Sequence, residues 1–253
     1  MFGQTANNIL VAGHRGMAAL FPENTMAGFA AAHKAGVDMI ETDLNVSNDG
    51  ALIVIHDRTV DRTADGAGEV RSLALSELKK LDAGAKFGPQ FAGERIVSFD
   101  EFLEFVKTTD LTLNVEIKDY APECTDKAVK ALRDARLDGR YVLACFGAKA
   151  VEYAHTVYGV PIQGFPARFM QSADDGVYAH LYSVGVPLGA LNGAEYPDCR
   201  KGFFEKRGID YWTYCPDCEA DVIKCVQAGT TLMTCNDPFP AMKYLKENKL
   251  RKR

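Results

Sequence analysis

Residues 10–57 of this chain read LVAGHRGMAALFPENTMAGFAAAHKAGVDMIETDLNVSNDGALIVIHD. The string continues a short apolar run, Ile9 to Ala12, that stops at Gly13-His14-Arg15-Gly16, the pattern of a buried strand emptying into a loop. Pro22-Glu23-Asn24-Thr25 then precedes MAGFAAAHKAG, whose composition is helical. Asn24 or Thr25 can serve as its N-cap and Gly36 as its stop. Val37 to Asp43 reads as a second strand. Ser47-Asn48-Asp49-Gly50 is a turn signal, so Ala51 to Ile55 returns as the other arm of a hairpin. That return carries His56 back towards the end of the strand bearing Glu41 and Asp43. Strand, helix and strand at this spacing begin a parallel sheet with helices packed outside it.

Outward from this block the rhythm first breaks and then resumes. Residues 57–98 are rich in Gly and charge, with one helical piece around Ser76 to Leu81, and read as an insertion forming a small subdomain or lid. Beyond it, helical character marks Phe99 to Lys107, Glu123 to Ala135, Val151 to Tyr158, Met170 to Leu181, Tyr196 to Arg207, Asp217 to Ala228 and Pro238 to Lys249. Strand character marks Leu111 to Ile117, Tyr141 to Phe146, Val160 to Gly164, Ser183 to Pro187, Ile209 to Thr213 and Thr230 to Cys235. Without the hairpin's return arm, eight strand candidates alternate with helices over 253 residues. This predicts an α/β fold, a closed (β/α)8 TIM barrel, as a single domain over 1–253 with 57–98 inserted within it. An open doubly wound sheet is the runner-up, but no GxGxxG follows the first strand, so its dinucleotide-binding version has no support.

A hydrophobic share of 47% and a charged share of 25% are those of an ordinary globular protein. The net charge of −5 argues against a nucleic-acid partner, which calls for a basic face. The basic ending LKENKLRKR reads as a solvated last helical turn favoured by the helix dipole. No stretch approaches the length of apolar sequence that a membrane helix needs, and MFGQTANNIL lacks the form of a signal peptide, so stable membrane insertion is not expected. Seven cysteines, an odd number, favour reduced thiols and a cytoplasmic setting.

The candidate chemistry concentrates at the expected C-terminal strand ends, where barrels of this kind place their active residues. Glu41 and Asp43 stand two apart on one strand and share a face. Glu116 and Lys118 repeat that spacing at the end of the next barrel strand. Three carboxylates aimed at one point suit one hard divalent cation, Mg²⁺ or Ca²⁺. His14 and His56 beside it suit proton transfer, and Arg15 and Lys118 suit a bound anion such as a phosphodiester. Taken singly, a histidine at a strand end is more often structural. Charges inside the otherwise apolar segments Val37 to Ile40 and Leu113 to Ile117, however, are costly without partners. Elsewhere the ordinary reading prevails. His33, His155 and His180 lie in helical segments, and Cys215-Pro216-Asp217-Cys218 lacks a second ligand pair at zinc spacing. Asp57 either orients His56 or turns the loop.

These residues resemble the glycerophosphodiester phosphodiesterase family motif by motif. His14 to Gly16 stands for His-Arg-Gly, Pro22 to Thr25 for Pro-Glu-Asn-Thr, and Glu41 to Asp43 for Glu-x-Asp. Asp49-Gly50, His56-Asp57 and Glu116 to Lys118 follow in the family's order, and Tyr211-Trp212-Thr213 looks like its late Trp-Thr. The resemblance implies a TIM barrel with a small insertion after the second histidine, and hydrolysis of glycerophosphodiesters to glycerol 3-phosphate and an alcohol. It implies His14 and His56 as general base and acid, in an order the sequence leaves open. It also implies Glu41, Asp43 and Glu116 as metal ligands, Arg15 and Lys118 as phosphate contacts, and Trp212 as a wall on the glycerol side. A neighbouring-hydroxyl attack through a cyclic phosphate is one route open to such a substrate. The partner expected is the small-molecule diester; lipid head groups, cleaved in the manner of a lysophospholipase D or a phosphatidylinositol lyase, are the alternative. The oligomeric state is not legible. Cys145-Phe146, Thr213-Tyr214-Cys215 and Thr234-Cys235-Asn236-Asp237-Pro238 depart from the family's usual Ser-Phe, Thr-Val-Asn and Thr-Asp, and leave the alcohol-side specificity open.

Overall fold

The computed structural model describes residues 2–191 and 196–252. The apolar runs form eight parallel strands: β1 (Leu10–His14), β2 (Met39–Val46), β5 (Thr112–Ile117), β6 (Tyr141–Ala144), β7 (Ile162–Gly164), β8 (Ser183–Pro187), β9 (Asp210–Tyr214) and β10 (Leu232–Cys235). Each pairs with the next, and β1 pairs with both β10 and β2, which closes the (β/α)8 barrel. The hairpin's return arm is β3 (Leu52–Val54), antiparallel to β2. A short strand the sequence did not announce, β4 (Val97–Ser98), pairs antiparallel to β3 on its outer side. Register fixes the layers: His14 is level with Glu41, and Asp43 is level with Glu116.

The helices follow from caps and apolar spacing. Thr25 Oγ1 accepts from Gly28 N to start α1 (Met26–Ala35), and Gly36 stops it at φ 84°. Ser98 and Glu101 form a reciprocal capping box for α3 (Phe99–Lys107). Phe99, Phe102, Leu103 and Val106 then fall on one face and are buried against the barrel. Each such side chain contributes about 1.5–3 kcal/mol of burial. The ring continues with α4 (Pro122–Asp134), α5 (Ala148–Tyr158), α7 (Glu219–Ala228) and α8 (Phe239–Glu247), the fragment α2 (Leu75–Leu78) lying earlier in the chain.

Two long expected helices are broken. Met170 to Leu181 holds only a 3-10 helix at Asp175–His180, after another at Ala167–Phe169. Asp174 turns its carboxylate onto Gly176 N, a local bond that competes with a continuous helix. Tyr196 to Arg207 divides into a 3-10 turn at Pro197–Cys199 and the short α6 (Lys201–Glu205). Pro197 and Gly202 both disfavour a longer helix there. In 57–98 the regular structure is a 3-10 turn at Val70–Ser72, α2, a second 3-10 turn at Pro89–Phe91 and β4. Val60, Ala64, Val70, Leu78, Ala83 and Ile96 pack there on Ile53 and Ile55, in an apolar cluster apart from the main core.

The basic tail is not a solvated helical turn. Helix α8 ends at Glu247, and Lys249 at φ 57° redirects the chain. Leu250 O then accepts from Ile9 N at 2.7 Å, and the buried Arg251 pairs with Asp38 at 3.0 Å. The tail therefore ties back onto the start of β1 and the turn after α1. Leu10, Ala12, Met39, Val142, Trp212 and Leu232 fill the barrel interior, with Phe2 and Tyr182 packed against them. Among the described residues no helix is long and apolar enough to cross a membrane.

Candidate active site

Glu41, Asp43 and Glu116 point into the upper end of the barrel, 5%, 0% and 8% exposed, with ligand-capable oxygens all within 4.8 Å of one another. Three carboxylates in so small a volume repel one another and lose water, a cost of several kcal/mol per ion unless it is compensated. Compensation comes from the neighbouring loops. Arg15 Nε lies 3.4 Å from Asp43 Oδ2, Lys118 Nζ lies 3.3 Å from Asp43 Oδ1, and Lys118 Nζ also bonds Glu116 Oε1. Asn24 Nδ2 donates to Asp43 Oδ2 at 2.9 Å, and Arg15 N donates to Glu41 Oε2 at 3.1 Å. For Asp43, burial works upwards but Lys118 and Arg15 outweigh it, and its pKa is lowered. For Glu41 the balance goes the other way: burial first, then Asp43 and Glu116, push its carboxyl well above the usual range. Burial likewise raises Glu116. Two buried atoms, Asp43 Oδ1 and Arg15 Nε, form no hydrogen bond. Convergent oxygen donors with an acceptor to spare fit a hard divalent cation. Among the described residues, no other group of three or more His, Cys, Asp or Glu side chains is disposed to hold an ion.

The two histidines flank this cluster. His14 ends β1, on a loop that only small residues allow. A Cβ on Gly13 would lie 2.0 Å from Gly16 O, and one on Gly16, at φ 89°, would lie 2.8 Å from the carbonyl carbon of Gly28. His14 Nε2 is 3.7 Å from Glu41 Oε2, and its Nδ1 is 2.6 Å from Asn236 Oδ1 and 3.7 Å from Cys215 Sγ. Burial pulls the His14 pKa down, but the contacts with Cys215 and Asn236 outweigh it and leave it raised. His56 follows β3, in a turn fixed by Asn45 Nδ2, which donates to Ile55 O at 2.9 Å and Asp57 O at 3.3 Å. His56 Nδ1 is 2.6 Å from Asp57 Oδ1, so Asp57 does orient it. Burial holds the His56 pKa low against the opposing pull of Asp43. The Arg62 guanidinium, bonded to Asp57, holds that carboxyl down at about 2. Arg62 also grips Glu23 at 2.7 and 2.8 Å, and Glu23 bonds Arg15 at 2.9 Å. One chain of charges thus ties the residue after His56, the insertion and the loop after His14 together.

These groups open on a cavity of about 320 Å³. His14, Arg15, Glu41, His56, Glu116, Lys118 and Cys215 line it, and Phe146, Phe165 and Tyr214 add an aromatic wall. Phe146 and Phe165 are stacked, with Tyr214 edge-on to Phe165 at 5.9 Å. Trp212 is not part of this wall. It is 1% exposed, donates from Nε1 to Asp210 Oδ2 at 2.9 Å and meets Tyr182 edge-on at the lower end. Tyr214, two residues further along the same strand face, is the side chain that reaches the cavity. Cys215 and Cys218 do not act as a pair: Cys218 Sγ turns to Asp221 at 3.3 Å. Sequence reasoning left Asn236 and Cys215 without a role, although both follow barrel strands at their C-terminal ends. A larger cleft of about 930 Å³ between α1 and α8 holds neither His14 nor His56 and none of the three clustered carboxylates.

Known proteins give the same architecture and the same class. The profile of the glycerophosphoryl diester phosphodiesterase family matches residues 14–237. A glycerophosphodiester phosphodiesterase of Caldanaerobacter subterraneus subsp. tengcongensis is 44% identical over 239 residues, 90% of this chain and 94% of that protein. One from Bacillus subtilis is 28% identical, over 92% of this chain and 85% of its own. Among solved structures, an Oleispira antarctica phosphodiesterase in complex with the product sn-glycerol-3-phosphate superposes with a TM-score of 0.82. It is 21% identical and covers 94% of this chain and 96% of its own, a likeness of fold. A match that begins at His14, just ahead of the carboxylates, and ends past Asn236 takes in the whole rim described above, and this chain belongs to the glycerophosphoryl diester phosphodiesterase family.

Proposed function

We propose that this chain hydrolyses water-soluble glycerophosphodiesters to glycerol 3-phosphate and a free alcohol, using a divalent cation and two histidines. The observation that carries the reading is a cluster of three buried carboxylates, two of which, Glu41 and Glu116, line one cavity with both histidines. Glu41, Asp43 and Glu116 would hold the cation, which when bound supplies positive charge to the phosphoryl oxygens. The chain's own residues do the rest. Arg15 and Lys118 bring further positive charge to the same opening and favour the dianionic, developing phosphoryl group over the ground state. His14 and His56 stand on either side as proton acceptor and donor, each fixed through Nδ1 so that Nε2 is the exchanging nitrogen. Phe146, Phe165 and Tyr214 exclude water from the aromatic wall. Residues 57–98 are read as part of this one catalytic unit, because Arg62 from that segment fixes the partner of His56.

The test is release of glycerol 3-phosphate from glycerophosphocholine in Mg²⁺ or Ca²⁺, by the wild type and by His14→Ala and His56→Ala. Each substitution is expected to lower kcat by about 10²–10⁴-fold, the usual worth of a positioned acid or base. Turnover of lysophosphatidylcholine in clear preference to every soluble diester would move the reading to lipid head groups. Full activity in both variants would remove the two-histidine mechanism.

A further inference from the structure

We propose that Asp217, in the loop before α7, is a positioning residue for proton transfer at His14, acting through Asn236; the proposal rests on the reading of His14 given above. The argument is one of hydrogen-bond direction. Asp217 Oδ1 receives the backbone N–H of Asn236 at 2.7 Å and that of Asp237 at 3.0 Å, and its Oδ2 receives Asn236 Nδ2 at 2.7 Å. With the amide nitrogen of Asn236 committed to Asp217, the amide oxygen faces His14 Nδ1 at 2.6 Å. An amide oxygen only accepts, so Nδ1 must carry the hydrogen. A neutral imidazole has a single N–H, and Nε2, on the Glu41 side, is left with its lone pair free to take a proton. Cys215 Sγ also faces Nδ1, but at 3.7 Å a weak sulfur contact does not compete with the 2.6 Å amide bond.

The neutral partner is what makes Asp217 necessary. A carboxylate beside Nδ1 presents an acceptor whichever way it turns. An asparagine presents an acceptor one way and a donor the other. If Asn236 turned its Nδ2 to His14, Nδ1 would become the acceptor and the hydrogen would sit on Nε2, where the ring cannot receive another. Nothing else among the described contacts of Asn236 fixes its side-chain orientation besides His14 itself and Asp217.

Asp217→Asn keeps the shape and keeps an oxygen for the two backbone N–H groups. Its new Nδ2 then confronts Asn236 Nδ2, and rotation of the Asn236 amide relieves that conflict at the expense of the His14 tautomer. The test is ¹⁵N spectroscopy of the Mg²⁺-loaded protein with labelled histidine, at alkaline pH where imidazole is uncharged, with His14 assigned by its loss in His14→Ala. Turnover is measured on the same samples. In the wild type Nδ1 is expected to be the protonated nitrogen of His14. In Asp217→Asn the proton moves to Nε2, and kcat falls by about 10²-fold, at the low end for an acid or base, with KM held within twofold. The exchanged pair, Asp217→Asn with Asn236→Asp, places a carboxylate against Nδ1 and an amide donor behind it. It is expected to restore the Nδ1–H form and most of kcat. Asp217→Asn with an unaltered tautomer would overturn the proposal, whether or not activity fell, as would an exchanged pair that restores the tautomer but no turnover. Because the spectrum does not require turnover, an inactive wild type with the Nδ1–H form would count against the hydrolase reading and leave the positioning of His14 standing.

Discussion

Trp212 shows how much of a side chain's place a strand pattern can give. Alternation along β9 assigns Trp212 and Tyr214 to the interior face, and both are there. Alternation says nothing about height along the barrel axis, and a large ring can lean either way. Trp212 leans down because Asp210 Oδ2 accepts from its indole N–H and Tyr182 receives its edge. Trp212→Phe is therefore expected to cost about 1–2 kcal/mol of stability, from a lost bond and a small void, and to leave KM unchanged. Urea unfolding and steady-state kinetics on the same variant check this, and a KM raised several-fold would return the ring to the substrate. The ligand candidates were legible for the opposite reason. Glu41, Asp43 and Glu116 interrupt segments that are otherwise apolar, and an isolated charge in such a segment has few explanations. Asn236 carries no charge and sits in a loop, so its bond to His14 left no mark that a single sequence could show.

At the level of elements, caps were the surest signals: Thr25 and Gly36 both sit where their chemistry places a helix end. Composition was a weaker guide at 170–181, where the local bond of Asp174 to Gly176 N competes with the helix, and at 196–207, where Pro197 and Gly202 disfavour one. The loop from β1 to α1 depends on glycine for a different reason. Gly16 has a left-handed φ of 89° and lets that loop press against α1, where any Cβ would overlap the Gly28 backbone. Gly16→Ala is expected to destabilise the protein by roughly 3 kcal/mol, combining backbone strain with the overlap. It should also reduce turnover more than tenfold, since the same loop carries His14 and Arg15. A urea midpoint within error of the wild type would show that the loop yields freely, and would contradict this account of how His14 is held.

Across the whole molecule, eight strand–helix alternations were enough to foresee closure, because a parallel sheet with that many units has few other ways to bury both faces. The long-range polar ties were not foreseeable. Arg62 with Glu23, Arg251 with Asp38, and Asp217 with Asn236 join residues far apart in the chain, and no periodicity records such pairs. Their effect is nonetheless global: Arg251 ties the tail back to the turn after α1, while the Glu23–Arg62–Asp57 chain ties the insertion to the loop after β1. What that frame holds is a cluster of three mutually repelling carboxylates, of which Glu41 has its pKa pushed well up by burial and by its neighbours. A frame built to keep such a cluster together has its simplest explanation in a cation bound there. The most direct measurement is glycerol 3-phosphate release from glycerophosphocholine by protein stripped with EDTA, before and after Mg²⁺ or Ca²⁺ is restored. Turnover should vanish on chelation and return with at least one of the two ions; undiminished turnover by the stripped protein would contradict the account.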